Sequence, residues 1–288
     1  MSDEILRTSL LDLLYALGTT AEGILLAGGY GLYLKQLYLS DLHIHTLINA
    51  EVWPEPRATQ DIDLMLSAEL VASAQSMAAL RAALDKMGYT VVKGSEFLQF
   101  VRTISGTAVV KVDLLTAQFN ILESNRAIRA DDRRARPASA DHPDLHAHPT
   151  DGALALTDDP LIIDVAGTRS DGRACSVKVT IPHPFNYLLM KLTAYRDRRN
   201  DSDKNLGRHH ALDVFRIVAM LTESEWDQML ASQRRFTTDS QVLSCRKLVQ
   251  SDFSGKTTLG VLAMRAHPLW RNDPQLPVFL EALHEVKT

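Results

Sequence analysis

The sequence has few cysteines and no long hydrophobic run. Its 288 residues include only two cysteines, Cys175 and Cys245, too few for a disulfide framework or a cysteine-rich zinc site. No apolar run reaches the roughly 18 residues that a membrane-spanning helix needs. The acidic start, Met1-Ser2-Asp3-Glu4, opens a helical pattern and does not resemble a signal peptide. These absences predict a cytoplasmic protein without a membrane partner.

The remaining composition is that of a globular protein with unevenly distributed charge. Hydrophobic residues make up 45% of the chain and charged residues 23%, which is enough apolar material for a sizeable core. Residues 1–181 hold 16 basic against 23 acidic side chains, whereas residues 182–288 hold 15 against 12. The mildly basic second part permits a nucleic-acid partner but does not require one.

The hydrophobic periodicity predicts an α/β (α+β) first domain followed by a helical domain. Helical spacing and strand-like runs alternate through residues 1–181, whereas the chain from Phe185 onward shows helical spacing alone. Pro182 and Pro184 lie between the two patterns. We therefore expect domains at 1–181 and 182–288, the first with a mixed sheet flanked by helices.

The most informative segment is 57–63 (RATQDID), which contains Asp61 and Asp63. Carboxylates at i and i+2 of a strand point to the same face, because strand side chains alternate. Mg²⁺ takes oxygen ligands and is commonly held by one or two carboxylates together with substrate phosphates. The segment is thus a candidate site for a metal–nucleotide complex, in which Arg57 and Thr59 would either position phosphate or cap the strand.

Two further features would complete such a site. Gly28-Gly29 follows the apolar run 24–27, where a turn between strand and helix could approach phosphates, although a plain tight turn would look the same. Asp113 lies in the apolar run 109–115, where a carboxylate is costly unless it is paired or binds a metal. Asp113 could instead pair with a Lys or Arg at the strand end, but the upstream Asp-x-Asp favours a metal role.

Two residues of the helical part carry similar ambiguity. Lys191 lies among apolar residues. It could bind phosphate, or it could be a surface lysine whose aliphatic stem is buried. Asp213 could serve the site or form a salt bridge with Arg216 or Lys204. The basic run from Arg196 to Arg208 could follow an RNA backbone, although solvated charge is the commoner explanation.

Together these residues resemble the nucleotidyltransferase superfamily, which has the polymerase β-like fold. Gly28-Gly29, the Asp61-Ile-Asp63 strand and the later strand with Asp113 carry this resemblance. The segments 189–194 (LMKLTA) and 209–214 (HHALDV) resemble the AbiEii/AbiGii toxin branch, which includes the MenA-type toxins. The resemblance spans roughly residues 24–220.

The resemblance implies Mg²⁺-dependent transfer of a nucleoside monophosphate from an NTP to an acceptor, with release of pyrophosphate. It implies metal binding by Asp61 and Asp63, phosphate contacts from Gly28 and Gly29, and roles in the site for Lys191 and Asp213. For MenA-type members the acceptor is a tRNA 3′ end, and a toxin of this kind would have a cognate antitoxin.

Three alternatives stay open at this point. A small-molecule acceptor, as in aminoglycoside nucleotidyltransferases, would use the same carboxylates. A non-catalytic nucleotide-binding protein could keep the fold without convergent carboxylates. A metallohydrolase built on His142, His146 and His148 is less favoured, because these histidines lie in an irregular segment without a carboxylate strand.

Overall fold

The computed structural model describes residues 3–56, 59, 61–106, 108–139, 141, 144–271 and 273–286. It has a mixed sheet with flanking helices and a helical C-terminal region, so the predicted fold class is confirmed. No helix in these described ranges is long and apolar enough to cross a membrane.

The chain divides into two compact units that are not simply consecutive. The first unit contains residues 1–31, 58–150 and 154–182. The second unit contains residues 183–288 together with residues 32–57 and 151–153. The segment between Gly28-Gly29 and the Asp-x-Asp strand thus belongs mostly to the helical unit.

Ten strands occur along the described chain, most of them in a single mixed sheet. They are β1 (Ile24–Leu26), β2 (Asp61–Leu66), β3 (Thr90–Val91), β4 (Gln99–Ser105), β5 (Ala108–Thr116), β6 (Ile128–Ala130), β7 (Ala135–Pro137), β8 (His148–Pro149), β9 (Leu161–Thr168) and β10 (Ala174–Ile181). The main sheet has the order β3-β4-β5-β2-β1-β10-β9, with β8 paired to β5, and β6 pairs separately with β7. The pairs β2–β5 and β1–β10 are parallel and β1–β2 is antiparallel, which makes the sheet mixed.

Eleven α-helices occur along the described chain. They are α1 (Asp3–Leu17), α2 (Gly28–Asp41), α3 (Ala68–Ala72), α4 (Ala74–Lys86), α5 (Phe119–Leu122), α6 (Pro184–Arg198), α7 (Arg208–Ala219), α8 (Glu223–Arg235), α9 (Ser240–Asp252), α10 (Leu259–Arg265) and α11 (Leu276–Glu285). Residues 68–86 form two helices and not one, because Ser73 ends α3 in an extended conformation and caps α4 through its side chain.

The alternation of β2 separates a buried face from a polar face of the sheet. Ile62 and Leu64 are fully buried, whereas Asp61 and Asp63 are only partly buried on the other face. In the adjacent β5, Val112 and Leu114 are buried at the equivalent positions. The aliphatic residues therefore anchor the strands and leave the carboxylates facing away from this core.

In the second unit, α6 and α7 form the central helix pair. Each has a long apolar stripe, and α7 is buried continuously from Ala211 to Ala219. The segment 32–57 joins this unit through buried polar contacts as well as apolar ones. Lys35 of α2 forms a buried ion pair with Glu225, whose other carboxylate oxygen accepts a hydrogen bond from the Thr222 backbone N–H at the start of α8.

A close contact between α10 and the end of α9 gives a test of packing in the helical unit. A Cβ at Gly260 would lie 2.5 Å from the buried Phe253 ring, whereas a Cβ at Gly255 meets nothing within 4 Å. We expect Gly260→Ala to lower the free energy of unfolding by about 1–2 kcal/mol, because overpacking exceeds the helix-propensity gain. Urea denaturation measures this. Gly255→Ala is the control, and equal effects of the two changes would contradict the packing argument.

Candidate active site

Three carboxylates lie on one face of the adjacent strands β2 and β5. The parallel register pairs Asp63 with Asp113 and Asp61 with Lys111. Paired residues of neighbouring strands share a face, so all four side chains project from the same side of the sheet. Lys111 Nζ lies 4.0 Å from Asp61 Oδ1, and both side chains remain about two-fifths exposed.

Asp113 has the most unusual surroundings of the three carboxylates. Its Oδ1 atom is buried and has no hydrogen-bond partner among the described residues. Burial raises the pKa of Asp113 to about 7, and the negative charges of Asp63 and Asp61 contribute in the same direction. An unmatched buried oxygen beside two further carboxylates is the electrostatic situation that a bound cation would relieve.

Gly28 brings the start of α2 against the Asp63 carboxylate. Gly28 has φ +64°, and a Cβ at this position would overlap the Asp63 side chain. The Ala27 N–H also donates a hydrogen bond to the Asp63 carbonyl at 2.8 Å, which holds the turn against β2. Only glycine allows both the backbone conformation and this approach. The N-terminal amides of a 14-residue helix therefore lie beside the carboxylate face, where they favour anions.

The donor set fits Mg²⁺, although the carboxylates do not form a complete cage. Among the residues that the structure describes, no three His, Cys, Asp or Glu side chains are grouped so as to hold a metal ion. Mg²⁺ usually takes only one or two carboxylates and completes its octahedron with phosphates and water. The Asp63–Asp113 pair satisfies this smaller requirement, and Asp113 Oδ1 has no other partner among the described residues.

Lys191 and Asp213 are paired with each other inside the helical unit. Lys191 Nζ lies 2.7 Å from Asp213 Oδ2, and Lys191 and Asp213 are 8% and 0% exposed. Lys191 is therefore a buried lysine and not a surface lysine. Arg216, 1% exposed, lies with its Nη1 atom 3.4 Å from Asp213 Oδ1. The predicted salt bridge of Asp213 with Arg216 thus exists beside the pair with Lys191.

Two glutamines that sequence reasoning missed support these charged residues. Gln36 Oε1 accepts a 2.7 Å hydrogen bond from Arg216, and Gln36 Nε2 donates to the Pro54 carbonyl at 3.1 Å. No local pattern marks Gln36, because its partners are distant in sequence. Gln99 lies opposite Asp113 in the β4–β5 hairpin, and its side-chain hydrogen bond partly offsets the raised pKa of Asp113. The register shift between Thr103 and Ser105 means that counting back along the hairpin from its turn would not have paired Gln99 with Asp113.

The other predicted residues have varied positions. Arg57 and His142 lie outside the described residues. Thr59 accepts a 3.3 Å hydrogen bond from the Asp61 backbone N–H through its hydroxyl oxygen, which is the strand-capping contact that the sequence allowed. In the basic run, Arg196 pairs with Asp197 and Arg199 with Asp252, so these two charges are partly neutralised.

The raised pKa of Asp113 has a consequence for stability in the absence of metal. In the unfolded chain this carboxyl has an ordinary pKa near 3.8, whereas in the folded protein it is about 7. Between these values the folded state keeps a proton that the unfolded state has lost, so the contribution of Asp113 to stability falls as pH rises. We expect Asp113→Asn in EDTA to be more stable than the parent by about 1–3 kcal/mol at pH 8 and similar to it near pH 4.

Urea denaturation at a series of pH values measures this difference. Asp164→Asn is the matched control, because Asp164 lies on β9 with its side chain 72% exposed. Parallel stability profiles for the parent and Asp113→Asn would contradict the assignment of a destabilising carboxylate at this position.

The chain was also compared with known proteins. A family model described as nucleotidyltransferase matches residues 7–236, a range that includes both glycines, the three carboxylates, Lys191 and Asp213. No curated protein and no solved structure matches the chain. Since the family match extends over most of the chain and its general activity is transfer of a nucleoside monophosphate, the protein belongs to this nucleotidyltransferase family and is a transferase.

Proposed function

We propose that the chain catalyses Mg²⁺-dependent transfer of a nucleoside monophosphate from an NTP to a tRNA acceptor. The observation that supports this most directly is the register of β2 and β5, which sets Asp63 opposite Asp113 beside the first turn of α2. Nucleotidyltransferases generally use a divalent metal with NTP. In the reaction, an acceptor hydroxyl forms a bond to the α-phosphorus, pyrophosphate leaves, and the hydroxyl proton is released.

Different residues of the first unit would bind the metal and the phosphates. Asp63 and Asp113 would hold Mg²⁺ together with the nucleotide phosphates, with Asp61 beside them on the same face; the ion would neutralise the triphosphate charge when bound. The backbone amides at Gly28 and Gly29 bind phosphate oxygens, because helix N-terminal amides are unpaired donors. Lys111, beside Asp61, adds a cation on the same face. Catalysis of this kind depends mainly on position and charge.

The toxin role and the tRNA acceptor rest on the resemblance of the helical segments to the AbiEii/AbiGii branch. The buried Lys191–Asp213 pair supports this proposal, because a lysine and an aspartate on neighbouring helices form one unit at the matching positions. We propose that Lys191 binds nucleotide phosphate and that Asp213 holds its ammonium group in position. A cognate antitoxin is the corresponding partner.

A variant of the glycine turn tests the phosphate role of α2. We expect Gly28→Ala to lower nucleotidyl transfer by about 100-fold or more, because a Cβ displaces the Asp63 carboxylate and the start of the helix. Gly94→Ala is the matched control, since Gly94 also has a positive φ but its Cβ would meet no neighbour. Transfer assays with both purified variants make the comparison, and equal activities would contradict the role of the turn.

The decisive assay supplies each of four α-³²P-labelled NTPs with Mg²⁺ and total tRNA. We expect label on tRNA from the parent protein and at least about 100-fold less from Asp63→Asn, because a ligand and its charge are removed. Asp164→Asn controls for loss of a carboxylate on an exposed strand. Label on an added aminoglycoside but not on tRNA would favour the hypothesis of a small-molecule acceptor. NTP binding without transfer to any acceptor would favour the hypothesis of a non-catalytic nucleotide-binding protein.

A further inference from the structure

The first unit contains a cavity that the proposed reaction does not use. It has a volume of about 540 Å³ and is lined by residues of α1, the end of α4, β4 and the β9–β10 turn. We call it the α1–α4 pocket. Its charged and aromatic side chains are Asp12, Tyr15, Lys86, Arg102, Arg169 and Asp171. Its volume lies in the range of pockets that bind small molecules.

The α1–α4 pocket lies on the other side of the sheet from the carboxylates. In the β4–β5 register Arg102 pairs with Val110, whereas Gln99 pairs with Asp113. Residues 99 and 102 differ by an odd number, so their side chains project from opposite faces of β4. The pocket is therefore separated from Asp113 by the thickness of the sheet and is a distinct site.

Asp12 places an unsatisfied acceptor in this pocket. The residue is only 9% exposed, and its Oδ1 atom accepts a 3.1 Å hydrogen bond from the Ser170 backbone N–H. Its Oδ2 atom is buried and has no hydrogen-bond partner in the described part of the chain. A buried carboxylate oxygen without a donor is costly, so this atom has the properties of a ligand-binding acceptor.

Three cations line the same pocket as this acceptor, and none of them pairs with it in the described part of the chain. Within the described ranges, neither Lys86 nor Arg102 forms an ion pair with any carboxylate, and Arg102 has its guanidinium over the Tyr89 ring at 5.9 Å. Arg169 is bound to Asp171 at 2.7 Å and lies 3.9 Å from the centre of the Tyr15 ring. The Arg169 Nε–H is also buried, and no described residue accepts a hydrogen bond from it. Donors for an anion therefore remain available among the residues that line the pocket.

Tyr15 adds an aromatic surface to this arrangement. Arg169 covers one region of the ring, yet the Tyr15 residue is 57% exposed. An aromatic ring stacked with a guanidinium is a platform on which a planar heterocycle can stack. The pocket thus combines cations, one buried acceptor and a stacking surface within a volume that suits a small molecule.

We propose that the α1–α4 pocket binds a nucleoside monophosphate. Lys86 and Arg102 contact the phosphate, the base stacks at Tyr15, and a hydroxyl or amino group of the ligand donates to Asp12 Oδ2. The ligand matches the pocket in three ways: its phosphate is opposite in charge to the cations, its base can stack on the Tyr15 ring, and its donor group can bind the Asp12 acceptor. This site goes beyond the proposed transfer reaction, because it needs neither metal nor the carboxylates of β2 and β5.

The test separates this site from the carboxylate face. Isothermal titration calorimetry is carried out in EDTA on the full chain with Asp61→Asn and Asp63→Asn, using AMP, GMP, CMP, UMP and inorganic phosphate. We expect at least one nucleotide to bind. Its affinity should fall by about tenfold or more after Lys86→Gln or Asp12→Asn, because each change removes a charge-assisted hydrogen bond. Lys86 is exposed at the end of α4, so Lys86→Gln leaves the fold unaffected.

Lys178→Gln is the control, because Lys178 is 76% exposed on β10 and does not line the pocket. Binding that resists both Lys86→Gln and Asp12→Asn would overturn the proposal, as would the absence of nucleotide binding at millimolar concentration. Equal affinity for inorganic phosphate and the nucleotides would also overturn it, because that result denies recognition of the nucleoside. None of these results depends on nucleotidyl transfer, so the two proposals fail or succeed separately.

Discussion

The repulsion between the carboxylates of β2 and β5 is the constraint around which the first unit is built. Parallel pairing sets Asp63 directly opposite Asp113, and one buried Asp113 oxygen has no donor among the residues that the structure describes. Neither feature stabilises the fold, since like charges and a desolvated carboxyl both oppose it. The arrangement persists because fully buried aliphatic residues such as Ile62, Leu64 and Val112 anchor the same strands from the other face. The sheet thus holds its acidic groups in place through apolar packing, as a preorganised cation site requires.

The helical unit buries charged side chains among apolar helices. Lys191, Asp213 and Arg216 are almost completely enclosed, and each contacts an oppositely charged neighbour. A buried ion pair adds little net stability because desolvation offsets the attraction, whereas loss of one partner is severe. Retaining such a group suits a role in binding or positioning more than a role in stability. Gln36 extends the network to the segment 32–57, and so joins a stretch that precedes the Asp-x-Asp strand to helices far along the chain.

The two faces of the sheet have separate chemistry. One face presents acidic groups beside the first turn of α2, which suits a metal-bound triphosphate. On the other face α1 packs against the sheet and against α4, and the pocket there is lined by cations together with Asp12. Strand alternation alone creates this division, because successive residues of β4 and β5 project to opposite sides. The two opposite faces of the sheet can therefore bind two anionic ligands at sites that have no residue in common.

The sequence by itself determined the local elements and the main acidic residues. Apolar spacing predicted α1 and the strands around Asp61 and Asp113, because helix and strand periods are local properties of the chain. The i, i+2 spacing of Asp61 and Asp63 likewise required a shared face. Only the tertiary structure decided that Asp63 lies opposite Asp113, that Lys191 pairs with Asp213, that residues 32–57 join the helical unit and that Asp12 lines a cavity. Strand register and helix packing bring together residues far apart in sequence, and no local pattern records such contacts.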